Sequence, residues 1–263
     1  MHRFLLIALL GAALTFASCD DDDPVATPTV GATATIEAPS ASPTADGAAL
    51  AISINEPAEG ATVAVPFEVS GDANVFEGVL SVEVLDEHGD VLCRRNVQAT
   101  SGTGTPGTWE TTIAFDPERA VDVADDAAAP TLTIRAFNFS AMDGAEENVV
   151  TRDVTLDPEP PAIVIALPTC EADVAQGASI AVNGEAAVFE AALTVELRDA
   201  SGTAVLTQNV MAASGVERSP WNTTLDLTGI EAGAYEIVAF SFSAEDGAIQ
   251  DEFAVPIRII PPA

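Results

Sequence analysis

The sequence predicts an all-β protein built from two tandem copies of one β-sandwich domain, preceded by an N-terminal segment with nothing to bury. Residues 66–102 and 179–215 align without a gap at an offset of 113 residues, and residues 136–144 return as 239–247. A repeat of about 100 residues has the size of one small domain. The hydrophobic fraction of 48% is sufficient for two cores.

Alternating apolar residues predict the strands of each copy. Leu80, Val82 and Val84 are separated by polar residues, and this period of two is typical of a half-buried antiparallel strand. The glycine-containing segments 86–90 and 199–203 then predict hairpin turns. Short strands with regular turns and no helical periodicity indicate an immunoglobulin-like sandwich. The first copy accommodates seven strands, near residues 51–55, 62–70, 79–86, 91–99, 109–115, 131–139 and 148–156.

Residues 1–18 are predicted to be a lipoprotein signal peptide. A short positive start precedes an apolar run from Phe4 to Ala17, which is too short to remain as a membrane span. The run ends in Phe16-Ala17-Ser18-Cys19, which resembles a bacterial lipobox, and this resemblance implies that Cys19 is the lipid anchor. Acyl chains on Cys19 would hold the protein outside the cytoplasmic membrane, at the cell surface. Ordinary secretion, with Cys19 as a free thiol, is the alternative.

Composition divides the rest of the chain. Residues 19–49 are rich in Pro, Thr, Ala and Asp, and such a segment is predicted to be a disordered tether. Residues 50–157 form the first predicted domain and residues 162–263 the second. The proline-rich linker 158–161 between them is expected to be short and stiff.

The strongly acidic composition excludes some partners. The formal net charge is −32, from 41 acidic residues against nine arginines, so we expect no nucleic acid to bind. No EF-hand loop, zinc-ligand spacing, nucleophile motif or phosphate-binding loop occurs. We therefore expect no metal, no cofactor and no enzymatic activity, although carboxylates for calcium are plentiful.

The two cysteines that follow the signal peptide and tether, Cys93 and Cys170, lie in different copies. If the domains stack end to end, Cys93 lies near the junction and Cys170 about 20 Å beyond it. A disulfide needs Cα atoms less than about 7 Å apart. This arrangement favours two free thiols, while the cysteine count alone leaves a bridge open.

Two duplicated dipeptides occupy the loop before the third strand. We expect Phe76 and Phe189 to plug the end of the sandwich, and Glu77 and Glu190 to cap loop amides. Ligand contact is the alternative. The same choice applies to Asp143-Gly144 and its second copy, where a hairpin turn is favoured over calcium or ligand binding.

The phenylalanines of the sixth strand conflict with its alternation. Ile134 and Ala136 have one parity, whereas Phe137 and Phe139 have the other, and the second copy repeats this. A bulge that turns all of them inward is the favoured explanation. The alternative is an aromatic outer face suited to a sugar ring or a partner protein. The candidate ligand-binding residues are Phe137, Phe139, Asp143, Phe240, Phe242 and Asp246.

Two motifs carry a resemblance to a known family. They are the segments 69–77 and 137–144, which recur as 182–190 and 240–247. This pattern resembles the immunoglobulin-like domain of bacterial spore germination, also called the second germination-and-motility-associated domain. The resemblance implies a secreted or surface-exposed interaction domain.

Together these features predict a non-catalytic, membrane-anchored surface lipoprotein. Its two immunoglobulin-like modules would bind or assemble with an envelope protein or glycan, and the family resemblance adds a link to sporulation or germination. The alternative is a carbohydrate- or cell-wall-binding pair of sandwiches. A stalk that only sets a distance from the membrane is the third hypothesis.

Overall fold

The alternation that predicts the central strands also sets their faces in the structure. The structure, a computed structural model, describes residues 51–121 and 129–262. In the strand from Val79 to Leu85, the side chains of Leu80, Val82 and Val84 are at most 1% exposed and point into the core. Among the described residues, no helix is long and apolar enough to cross a membrane. The predicted signal peptide, Cys19 and the tether lie outside the described residues.

The first domain is a sandwich of a three-stranded and a five-stranded sheet. Their strand orders are β1-β3-β6 and β2-β8-β7-β4-β5. All pairs are antiparallel except β2 with β8. The strands are β1 (Ile52–Glu56), β2 (Thr62–Ala64), β3 (Phe67–Ala73), β4 (Val79–Leu85), β5 (Val91–Gln98), β6 (Gly107–Ile113), β7 (Thr131–Phe139) and β8 (Glu146–Asp157), with 3-10 helices at Phe76–Gly78 and Pro117–Ala120.

The second domain repeats this topology. Its sheets have the orders β9-β11-β14 and β10-β16-β15-β12-β13, which match those of the first domain strand for strand. The prediction of an all-β fold with two tandem immunoglobulin-like sandwiches is therefore confirmed. The strands are β9 (Ile163–Leu167), β10 (Ala172–Ala175), β11 (Ser179–Ala186), β12 (Ala192–Asp199), β13 (Ala204–Met211), β14 (Ser219–Asp226), β15 (Gly233–Phe242) and β16 (Ile249–Ile260), with a 3-10 helix at Phe189–Ala191.

The predicted second strand, residues 62–70, is in fact two strands. β2 pairs in parallel with β8 in the five-stranded sheet, whereas β3 pairs with β1 in the other sheet. The chain changes sheets at Val65-Pro66, where proline has no N–H to continue a ladder. Within the part of the chain that the structure describes, each domain therefore shows eight strands rather than the seven that the sequence predicts.

Two duplicated glycines allow the first and third strands of each domain to approach closely. A Cβ at Gly71 would lie 1.9 Å from the carbonyl oxygen of Ser53, and one at Gly184 would lie 1.9 Å from that of Val164. The tryptophan opposite Gly71 in the β-ladder, Trp109, is 3% exposed. Only glycine fits at these two positions, which explains why both copies carry it.

The two domains are joined by more than the linker. Cys93 in β5 and Cys170 in the loop before β10 form a disulfide with a Cα–Cα distance of 5.0 Å. Beside it, Arg95 Nη1 donates to Glu236 Oε1 of the second domain at 2.5 Å, and Arg95 is only 11% exposed. The favoured prediction of two free thiols is wrong. It assumed end-to-end stacking, whereas the loop that carries Cys170 lies along the β5 edge of the first domain.

Candidate functional site

The duplicated phenylalanines of β7 and β15 lie on the outer face of the five-stranded sheets. A bulge is present in each domain, but its extra residue lies in the partner strand: Ala136 pairs with Val150, and Asn138 pairs with Glu147. The register of β15 against β16 shifts in the same way. A bulge in β8 leaves the parity of β7 unchanged, so the prediction that all of these rings face inward is wrong.

The inner ring of each pair is buried on that outer face and supports the outer ring. Phe137 is fully buried, because the Arg135 guanidinium lies 4.6 Å from its centroid and the Phe139 ring packs edge-on at 5.3 Å. Phe139 itself remains 50% exposed. One ring thus fixes the orientation of a second ring that solvent reaches.

The second domain builds the same arrangement from a different strand. Arg198 of β12 lies 5.5 Å from the Phe240 centroid, and Phe242 packs edge-on against Phe240 at 5.3 Å. Phe240 is 2% exposed and Phe242 52%. Two different strands supply the arginine, but the exposed ring has the same position in both domains.

A buried carboxylate holds the arginine of the first domain in place. Glu83 is 1% exposed, and it accepts hydrogen bonds from Arg94 Nε at 2.6 Å and from Arg135 Nη1 at 2.8 Å. Arg135 also pairs with Glu146. Burial lowers the pKa of Arg135, but the hydrogen bonds and charges of Glu146 and Glu83 outweigh it and raise that pKa above its ordinary value. The platform beneath Phe139 is therefore a fixed, charge-neutralised network.

The loop before the third predicted strand presents another phenylalanine to solvent in each domain. Val75 and Val188 fill the end of the sandwich, at 4% and 6% exposure, whereas Phe76 is 58% exposed and Phe189 63%. The prediction that these phenylalanines plug the sandwich is wrong. Consecutive apolar residues cannot both point inward here, and the smaller valine occupies the core.

The main chain of Glu77 holds this loop in a left-handed turn. Glu77 has a φ of 55°, its N–H donates to Thr103 Oγ1 at 2.9 Å, and its carbonyl accepts from Gln98 Nε2 at 2.6 Å. Glu190 has the same conformation, with a φ of 54°. In both copies a left-handed glutamate therefore follows directly after the exposed phenylalanine.

The exposed rings of the second domain flank a groove. Phe189, Met211 and Phe242 line a cavity of about 390 Å³, together with Thr194 and Asn209. In the first domain, Ser81 pairs with Phe137 across β4 and β7, which brings Phe139 to the same end of that sandwich as Phe76. We call these four residues, Phe76, Phe139, Phe189 and Phe242, the aromatic ends of the two domains.

Asp143 and Asp246 lie beside the aromatic ends in tight turns. Asp143 Oδ1 accepts from the Ala145 N–H at 3.1 Å, and Asp246 Oδ1 accepts from the Ala248 N–H at 3.1 Å. These backbone hydrogen bonds, followed by one from a neighbouring serine, lower the pKa of both carboxyl groups. The hydrogen bonds are those of the hairpin-turn interpretation. Within residues 51–121 and 129–262, no cluster of three or more His, Cys, Asp or Glu side chains is arranged to hold a metal ion.

Sequence reasoning identified Phe139 and Phe242 as candidates but missed three other features. Phe76 and Phe189 were assigned to the core, although the neighbouring valines were an available signal. Met211 occupies the position of Gln98 in the first copy, and its side chain lines the groove of the second domain. The contact between the domains had no signal in the sequence except the two cysteines.

Comparison with known proteins identifies the domains. The family model of the immunoglobulin-like domain of bacterial spore germination matches residues 51–145 and again residues 162–248. These two matches cover more than half of the chain, so the protein belongs to that family. No curated protein matches the sequence.

Solved structures of tandem sandwiches align over four fifths of the chain at low similarity. The fibronectin(III)-like modules of Clostridium thermocellum CbhA are 14% identical, and the alignment covers 80% of this chain and 94% of that one with a TM-score of 0.26. The ICAM-5 D1–D4 ectodomain fragment is also 14% identical, and the alignment covers 80% of this chain and 53% of the fragment with a TM-score of 0.29.

Proposed function

From its membership of this family, we propose that the protein is a non-catalytic surface lipoprotein whose two immunoglobulin-like domains form one binding or assembly module of the cell envelope. The observation that carries the proposal is the duplicated aromatic end. Both domains expose two phenylalanine rings at equivalent positions, each ring between 50% and 63% exposed. A link to sporulation or germination rests on the family description alone.

The exposed rings favour contact with a partner. An aromatic side chain offers 150–250 Å² of surface, so a half-exposed ring retains roughly 100 Å² that a partner can cover. At ~25 cal/mol per Å², covering one such ring contributes about 2.5 kcal/mol before the costs of association. The support of Phe139 by Phe137, and of Phe242 by Phe240, means that little ordering is needed on binding.

Two independent features support a location outside the cytoplasm. The lipobox-like sequence that ends at Cys19 supports lipid anchoring. The disulfide between Cys93 and Cys170 supports an oxidising compartment, because such bonds are rare in the cytosol. Membrane fractionation of the Cys19→Ser variant tests the anchor: the variant should leave the membrane fraction, and equal membrane association of both forms would contradict anchoring.

A carbohydrate- or cell-wall-binding module is the second candidate. Phe139 and Phe242 lie on sheet faces, and each is oriented by a buried ring beneath it, which is a suitable platform for stacking on a sugar. In this version the ligand is a glycan of the wall rather than an envelope protein.

A binding assay with matched variants tests both candidates. The tandem of residues 50–263 is incubated with purified peptidoglycan and, separately, with envelope extract. We expect retention that Phe139→Ser together with Phe242→Ser abolishes, because the stacking surface is lost. Val205→Ser is the control, since Val205 is an exposed apolar residue at the opposite end of β13 from Met211 and does not line the groove.

The result separates the candidates. Ring-dependent retention on peptidoglycan favours the glycan version, and ring-dependent capture from extract alone favours the assembly module. Retention that the double variant leaves unchanged, or no retention on either material, would contradict the role of the aromatic ends and leave the stalk hypothesis.

A further inference from the structure

A groove beside the domain junction gathers an unusual share of the positive charge of the protein. Its cavity of about 480 Å³ is lined by Arg94, Arg119 and Arg258, which are three of the nine arginines in a chain with a net charge of −32. Of the residues that line the groove, only Glu171 is acidic. Arg94 and Arg258 are each paired with a carboxylate, so the groove offers clustered guanidinium donors rather than a large net positive charge.

The three arginines that line the groove come from separate elements. Arg94 comes from β5, Arg119 from the 3-10 helix Pro117–Ala120, and Arg258 from β16 of the second domain. The side chains of Arg94 and Arg258 are 43% and 57% exposed. A guanidinium has five N–H donors in a planar fork, which matches the oxygens of a carboxylate or a phosphate.

Existing hydrogen bonds orient these arginines without using all of their donors. Arg94 reaches the buried Glu83 through Nε and Nη2, and Arg258 Nε donates to Asp173 Oδ1 at 2.7 Å. Arg119 Nη1 donates to a backbone carbonyl, that of Leu92, at 3.0 Å. The four N–H groups on the Nη atoms of Arg258 lie beyond its bond to Asp173, so the cluster keeps donors for a ligand.

The disulfide completes the groove. Thr169, Cys170 and Glu171 form one wall, and the bond from Cys170 to Cys93 holds that wall against β5 of the first domain. Arg258 belongs to the same domain as this wall, whereas Arg94 and Arg119 belong to the other. The three arginines therefore share one groove only while the domains are held together.

We propose that this groove binds a single carboxylate or phosphate group carried by an otherwise neutral ligand. The acidic surface repels extended polyanions, but at about 0.15 M salt its field is screened beyond roughly 8 Å. Guanidinium groups in direct contact with one anion keep most of their attraction under these conditions. The exposed ring of Phe139 also lines the groove and offers a surface for the neutral part of the ligand.

This inference goes beyond the proposed function, because its arginines are not part of the aromatic ends. Phe139 belongs both to the aromatic end of the first domain and to the lining of the groove. The experiment must therefore distinguish failure of the proposed function from failure of the groove proposal. Arg119→Gln and Arg258→Gln leave every phenylalanine in place, whereas Phe242→Ser changes the aromatic end of the second domain and leaves the groove intact. The pair of variants distinguishes loss of one site from loss of the other.

The probes are inorganic phosphate and glucuronate, with glucose as the neutral counterpart of glucuronate. They are titrated into the oxidised chain of residues 20–263 and followed by NMR, including the Nε–Hε signals of the arginines. We expect saturable shifts with one or both anions and none with glucose. A charge-assisted hydrogen bond is worth ~1.5–3 kcal/mol, so each of the Arg119→Gln and Arg258→Gln variants should weaken binding about ten- to a hundredfold. Arg152→Gln, at an arginine outside the groove, should leave it unchanged.

Each outcome decides the proposal. Phosphate binding without glucuronate binding assigns a phosphate ligand, and the reverse assigns a carboxylate. The Cys93→Ser, Cys170→Ser double variant should lose binding with either anion. Absence of saturable shifts in the oxidised protein, or equal affinity in the Arg119→Gln, Arg258→Gln double variant, would overturn it. If that variant misfolds, the wild-type spectrum decides. Absence of saturable shifts in the Nε–Hε signals of Arg94, Arg119 and Arg258 would then overturn the proposal equally.

Discussion

Removal of the bond between Cys93 and Cys170 should lower the stability of the tandem by several kcal/mol. The two cysteines are 77 residues apart in sequence and lie in different domains. Closing a loop of that length in the unfolded chain removes about 15 cal/mol/K of entropy, which is about 4.5 kcal/mol at 25 °C. Measured disulfides typically contribute ~2–4 kcal/mol, so we expect a loss within that range.

The assay compares the oxidised tandem, residues 50–263, with its reduced form and with the Cys93→Ser, Cys170→Ser variant. Intact mass under non-reducing, denaturing conditions should be lower by two hydrogens than after reduction. Urea unfolding should shift to a lower midpoint on reduction, and the variant should match the reduced protein and not respond to reductant. The domains should also unfold in separate transitions once the link is removed.

Two results would refute this reasoning. Equal masses before and after reduction would show that the thiols are free, as end-to-end stacking of the domains would require. An unchanged urea midpoint on reduction would show that the disulfide does not lower the entropy of the unfolded chain enough to affect stability. The ion pair between Arg95 and Glu236 can persist after reduction, and its persistence is compatible with both the mass prediction and the midpoint prediction.

Two further predictions concern the duplicated framework. Gly184→Ala should destabilise the second domain by about 2–3 kcal/mol in urea unfolding, because the new Cβ would overlap the Val164 carbonyl and overpacked sites cost ~1–3 kcal/mol or more. Gly233→Ala is the control, since its Cβ would meet only a ring carbon at 3.6 Å. Equal stability of the two variants would contradict the argument. The Asp199 carboxyl accepts hydrogen bonds from the Ser201 hydroxyl and from two turn N–H groups, so its pKa, measured by carbon-13 NMR, should lie below the ordinary value of 3.8. Its contribution to stability is therefore present above pH 3.8 and is lost as the pH falls further. A titration midpoint at or above 3.8 would contradict this.

The strands were predictable because burial on one face leaves a local signature. The alternation of Leu80, Val82 and Val84 fixes which side of β4 faces the core, and the turn at residues 199–203 follows from its glycine and aspartate. The sheet change at Val65-Pro66 was missed, because the apolar pattern continues through the break. Proline was the available signal, since it cannot serve inside a ladder.

The orientation of the phenylalanines was not predictable from their own strand. Whether Phe137 faces in or out depends on which strand carries the bulge, and the extra residue lies in β8, near Asn148 with its φ of 55°. That residue gives no distinct signal in a single sequence. The same holds for Cys93 and Cys170, whose distance depends on the relative placement of two domains rather than on either domain alone.

Differences between the copies show how the two domains have specialised. Cys93 and Arg95 of β5 correspond to Leu206 and Gln208 of β13, so the edge that docks the second domain onto the first has no equivalent bond or ion pair in the second copy. At the aromatic end, the second domain is the one with the distinctive residue. Gln98 bonds the Glu77 carbonyl, whereas its counterpart Met211 is 66% exposed and lines an apolar groove. The β5 edge of the first domain therefore takes part in the contact between the domains, whereas the aromatic end of the second domain carries the groove.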